Sequence, residues 1–143
     1  MTPDGISDDD WHRVHHAACD IVNASAAGDE VLSEHHHERL FEIIGELEAS
    51  YGRLPSLLAT RADFMDDDAA AIPLLQEALV ACEDPLSEQL TLESLIGRMI
   101  NQHYPDEIIQ NHLTRLGSII ANEGDDSDQE KLAELKVAFQ RMS

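Results

Sequence analysis

Residues 54–84 read LPSLLATRADFMDDDAAAIPLLQEALVACED: an apolar helical segment, three aspartates, a second apolar segment and an acidic residue ahead of Pro85. Leu58, Ala59 and Ala62 recur on one helical face, and Ala71, Leu75, Ala78 and Leu79 on another. Large side chains alternating with alanines let two helices approach closely, so the stretch predicts an antiparallel helix pair. The rest of the chain must match it. Aromatics make up only 4% of the residues, which leaves Leu, Ile, Val, Ala and Met to fill the core. Sheets favour β-branched and aromatic residues, so that supply suits helices better. Seven Gly and five Pro are too few for many tight hairpins. A chain of 143 residues is long enough for one domain with a real core.

Residues 1–6 are expected to be flexible. Ser7 is an N-cap and Asp8, Asp9 and Asp10 suit the positive end of a helix dipole. They open a helix to about Ala26, with Trp11, Val14, Ala18, Ile21 and Val22 as its apolar face. Gly28 and Asp29 stop it. A second helix starts between Glu30 and Glu34, shows Leu40, Ile43, Ile44 and Leu47, and ends at Gly52. Residues 8–51 thus form an N-terminal helix hairpin. Pro55 opens the third helix. Asp66, Asp67 and Asp68 end it and cap the fourth, where Pro73 requires either a start as late as Ala71 or a kink. Asp84-Pro85 opens a fifth helix with Leu92, Leu95, Ile96 and Met99 on its face. Pro105-Asp106-Glu107 opens a sixth, carrying Ile108, Ile109, Leu113, Leu116, Ile119 and Ile120 up to Gly124. Ser127 and Glu130 have capping-box spacing, which places a seventh helix over 127–142 with Leu132, Leu135, Phe139 and Met142 as its single stripe. The expected fold is a single all-α domain of about seven helices in antiparallel hairpins.

The third and fourth helices repeat. Ala71, Leu75 and Ala78 align with Ile109, Leu113 and Leu116 at an offset of 38, and Leu58, Ala59 and Ala62 with Leu95, Ile96 and Met99 at an offset of 37. Helix-pair repeats of the tetratricopeptide type have a period near ~34 residues. On these residues, with Asp84-Pro85, the chain resembles a diverged tetratricopeptide-repeat array over residues 52–122, in hairpins 52–84 and 85–124. It departs from the family in lacking the usual Trp and Gly of helix A and the aromatic of helix B. The resemblance implies a right-handed helical array, a C-terminal capping helix and a concave partner-binding face. In that register the face carries Arg53, Thr60, Asp63 and Phe64 on the third helix, and Leu90, Glu93, Gly97 and Asn101 on the fifth.

Charge limits the partner. The chain carries 29 acidic and 9 basic residues, a net −20, spread over its whole length. Such a surface repels nucleic-acid phosphates and anionic membranes and attracts basic proteins. No apolar run approaches the ~18–20 residues needed to cross a bilayer, and the first residues lack a signal-peptide pattern; a cytoplasmic protein is expected. Cys19 and Cys82 are expected to be buried free thiols.

Eight histidines raise the question of metal. His12 and His16 stand one turn apart on the first helix, and His36 and His37 lie early on the second, so these four are the candidate ligands. Pairing the hairpin about residue 28 leaves the two groups ~6 Å out of step. Asp66–Asp68 and Asp125–Asp128 lack the spaced ligands, central Gly and closing Glu of an EF-hand loop. No nucleophile elbow, P-loop or dinucleotide fingerprint is present. The sequence therefore points to a non-enzymatic interaction module without a cofactor, whose partner is a protein or peptide, the net charge favouring a basic one. The alternatives are an immunity- or antitoxin-type neutraliser of a basic protein, and a His-rich metal-binding protein.

Overall fold

The computed structural model describes residues 1–142. Among them there are seven helices and no strand: α1 (Asp8–Ala26), α2 (Glu30–Tyr51), α3 (Pro55–Asp63), α4 (Asp68–Ala81), α5 (Pro85–Asn101), α6 (Asp106–Glu123) and α7 (Asp126–Met142). Local caps set most of the starts. Ser7 Oγ accepts the Asp10 N–H, Asp29 the Leu32 N–H, Asp67 those of Ala69 and Ala70, and Asp84 that of Ser87. Gly28 and Gly52 take φ of 73° and 88° at the two turns that follow α1 and α2, a conformation that costs an L side chain about 1–2 kcal/mol. Pro73 lies inside α4, exposed to solvent, and the helix starts at Asp68 rather than at Ala71.

Two details of capping differ from expectation. The box that starts α7 is Asp125–Asp128, not Ser127–Glu130: the Asp128 N–H donates to Asp125 Oδ1 and the Asp125 N–H to Asp128 Oδ2, both at 3.0 Å. α6 ends at Gly124, so Asp125 is the next residue able to cap. The second concerns residues 1–6, which are docked instead of loose. Ile6 is fully buried. The N-cap of α3, Leu54, has an apolar side chain that makes no cap hydrogen bond, and Asp4 caps the helix at Ser56 from 52 residues away. The Ser56 N–H donates to Asp4 Oδ2 at 2.8 Å and the Ser56 hydroxyl to Asp4 Oδ1 at 2.9 Å. Burial by itself would raise the Asp4 pKa. The hydrogen bonds from Thr2 and Ser56 outweigh it and hold the carboxyl below its usual range.

The apolar side chains divide into two cores. The first joins Ile6, Val14, Ala17 and Ile21 to Leu40, Ile43, Ile44, Leu47 and Leu57. The second runs from Ala62 through α4, α5 and α6 to Leu132 and Leu135 of α7. α3 contributes Leu57 to the first and Ala62 to the second and so connects them. The buried stripe of α1 is Val14, Ala17, Ile21 and Ala24, with Val22 60% exposed. Both stripes have helical spacing; the one facing α2 is buried. Ile108 is 39% exposed for the same reason, and the α6 stripe starts at Ile109. Cys19 falls on the outer face of α1 and is exposed, against expectation, while Cys82 is half-buried; both are free thiols. Each helix packs on the next in sequence, and α3 also meets α5, and α5 meets α7.

Candidate functional site

The splay between the two cores leaves a cleft of about 830 Å³ where the first half of α2 passes the α3–α4 turn. Its geometry follows from helical periodicity. Glu30, Glu34 and Glu38 fall four residues apart on α2, and Ser33, His37 and Phe41 form the adjacent row. The opposite wall is Phe64, Met65, Asp66 and Asp67. Five carboxylates therefore line the cleft, and no lysine or arginine does. Phe41, Phe64 and Met65 are half-buried and give it an apolar floor. His37 fixes that floor: its ring meets Phe64 edge-on at 6.1 Å and Phe41 at 6.2 Å. His37 Nδ1 lies 2.8 Å from the Ser33 carbonyl. A carbonyl only accepts, so Nδ1 carries the proton.

Two arginines hold the walls from behind. Arg61 lies over the Phe41 ring at 5.9 Å and pairs with Glu48 at 3.3 Å. Arg98, from α5, donates to Asp68 Oδ1 at 2.9 Å, to the Ala62 carbonyl at 2.9 Å and to the Met65 carbonyl at 2.7 Å. It thereby ties the carbonyls at the end of α3 and in the turn after it to the first turn of α4.

Of the residues expected on one concave face, all but Arg53 are distributed over three hollows. Phe64 alone lies in the acidic cleft. Thr60, Asp63 and Leu90 line a groove of about 250 Å³ with Pro3 and Trp11, and Glu93, Gly97 and Asn101 line one of about 440 Å³ between α5 and α7. Several already have partners within the fold. Arg53 grips Glu77 with two bonds, at 2.7 and 2.9 Å, which holds the Glu77 carboxyl below its usual range. Thr60 donates to the Ser56 carbonyl at 2.7 Å. Desolvation raises the pKa of Asp63, opposed by a hydrogen bond from Ser94 and by the charge of Arg98. Desolvation also raises that of Glu93, opposed first by the Gln89 amide.

The histidines are closer together than the pairing about residue 28 implied. His16 Nδ1 lies 3.4 Å and His36 Nδ1 4.0 Å from the same Asp20 carboxylate oxygen, and the rings of His12 and His16 are 6.2 Å apart. His37 points elsewhere, into the acidic cleft. Arg13 and Arg39 line the hollow beside His12 and His16. Among the described residues, no group of three His, Cys, Asp or Glu side chains is placed to hold a metal ion.

Sequence reasoning reached Phe64 and His37 but not the cleft. The available signal was the Glu30–Glu34–Glu38 row, two residues of which fall beside a half-buried His37–Phe41 pair. Fold and cleft together define an all-helical, strongly acidic protein with a carboxylate-rimmed, aromatic-floored hollow. No protein-family model, curated protein or solved structure matches the chain, and no helix among the described residues is long and apolar enough to cross a membrane.

Proposed function

We propose that this protein is a non-enzymatic interaction module, a diverged tetratricopeptide-like array that presents the acidic cleft to a protein partner. The observation that carries the reading is the cleft's combination of five rim carboxylates, an apolar floor and no lining cation. An apolar centre inside a polar rim is the usual anatomy of a protein-binding site. The contacts of α3 with α5 and of α5 with α7 are those expected of neighbouring A helices in such an array. The N-terminal hairpin departs from the pattern, and its departure opens the cleft. A second reading, neutralisation of a basic protein, draws on the same rim and the net charge of −20, which speeds the encounter with a cationic partner.

Affinity capture from native lysate tests both readings when the wild type is run beside Glu34→Lys/Glu38→Lys, a pair of exposed positions. A partner that is retained by the wild type and lost by the variant supports the cleft. A partner retained equally by both refutes it.

A further inference from the structure

The arrangement of the rim specifies more than a positive charge. Glu30, Glu34 and Glu38 repeat every ~6 Å along α2, at 1.5 Å per residue. Asp66 and Asp67 stand on the wall facing them together with Phe64 and Met65, which with Phe41 supply the apolar surface of the cleft. An occupant that satisfies both walls and the apolar surface needs cations on both flanks of an apolar stripe, repeating at the pitch of a helix. A helix with lysine or arginine at i and i+4 beside such a stripe has that pattern. Its long side chains lie along the apolar surface and extend their charges to the rim. Strand addition is not open to this fold, because no strand is present among the described residues to offer an edge; helix-in-groove recognition is.

We propose that the cleft docks a basic amphipathic helix of a partner protein, laid along α2. An apolar side chain of that helix rests on Phe64 and Met65. Cations four residues apart meet Glu34 and Glu38 on one flank, and others meet Asp66 and Asp67 on the second. This rests on the reading of the cleft as the protein-binding site.

The test uses the full chain and three synthetic peptides: an amphipathic Leu–Lys helix, the same composition interrupted by prolines so that it stays extended, and a Leu–Glu helix. Binding is followed by amide chemical-shift mapping and by fluorescence anisotropy at low ionic strength. The Leu–Lys helix is expected to shift residues 30–41 and 64–67 and to weaken roughly tenfold in Glu34→Gln/Glu38→Gln. Met65→Gln is expected to weaken it too. Asp106→Asn/Glu107→Gln removes the same charge from the start of α6 and should leave binding within about twofold; circular dichroism confirms that each variant is folded. Equal weakening by the α6 pair means that only overall charge is being read and overturns the proposal, as does equal binding of the Leu–Glu helix. If the proline-interrupted peptide occupies the cleft as tightly as the helical one, the helical occupant is refuted while the cleft remains a protein-binding site. If no peptide shifts the cleft amides, both readings fall.

Discussion

Replacing Arg98 by alanine should be among the most damaging single changes outside the apolar core. The side chain is 17% exposed, and Asp68 beside it 22%, so both ends of the pair are largely withdrawn from water. Its loss removes three charge-assisted bonds, to Asp68 and to the carbonyls of Ala62 and Met65. Such bonds contribute about 1.5–3 kcal/mol each when measured singly, but they share one side chain and do not add. Breaking a buried pair from one side costs about 3–5 kcal/mol; residual solvent access brings the expectation here to about 2–4 kcal/mol. In a chain of this size that lowers Tm by roughly 6–12 °C. Arg98→Lys keeps the charge but not the planar fork, which spans acceptors in different directions, and should recover less than half of the loss. Asp68→Asn removes the ion pair and leaves the two carbonyl contacts, so it should cost clearly less than Arg98→Ala. Urea titration of the three variants, with a double-mutant cycle between positions 68 and 98, measures these terms. If Asp68→Asn equals Arg98→Ala, the carbonyl contacts contribute nothing and the account of the α3–α4 turn is wrong. A loss under about 0.5 kcal/mol for Arg98→Ala, the range of ordinary surface changes, refutes it outright.

Other expectations follow from the same contacts. Asp4→Ala should cost about 0.5–2 kcal/mol as the loss of a helix cap. The folded Asp4 pKa lies below its ordinary value, so its contribution is present above the unfolded carboxylate pKa and is lost as pH falls through the folded one; the gap between wild type and variant should close on acidification, and a gap that widens refutes the assignment. Leu75→Ala, at a site with no solvent exposure, should lower stability by about 2–5 kcal/mol, and an unchanged urea midpoint would mean that it is not a core position. With 29 acids against 9 bases, screening over about 8–10 Å should relieve more repulsion than it costs in ion pairs. Melting temperature should then rise with added NaCl and equally with KCl, whereas a fall would show that pairs such as Arg53–Glu77 and Arg115–Glu88 outweigh the repulsion.

What the sequence made legible was local. Ser7, Asp29, Asp67 and Asp84 cap within three residues of themselves, so helix starts could be placed without knowing the fold. The stripe of α1 could not, because Ala18 and Val22 have helical spacing as good as Ala17 and Ala24, and only contact with α2 distinguishes them. Asp4 was invisible as a cap since its target lies 52 residues on. The cleft draws its walls from 25–41 and 64–67, and each segment alone reads as a solvated acidic surface. The residues named from the array's register border different hollows: Thr60, Asp63 and Leu90 share one groove, Phe64 lies in the cleft, and Glu93, Gly97 and Asn101 lie against α7.

The division of the interior into two cores bears on how this protein would respond to being occupied. Phe41 and Phe64 pack with the first core and Met65 with the second, so the floor of the cleft is a boundary between two structural units. Those units can open with separate free energies, as partly independent regions of a chain do. Anything gripping both walls binds only while both units are intact, and its binding free energy is added to the stability of the pair jointly. Occupancy would register as cooperativity: two overlapping unfolding steps drawn into one, with hydrogen-exchange protection rising in helices that the occupant never touches.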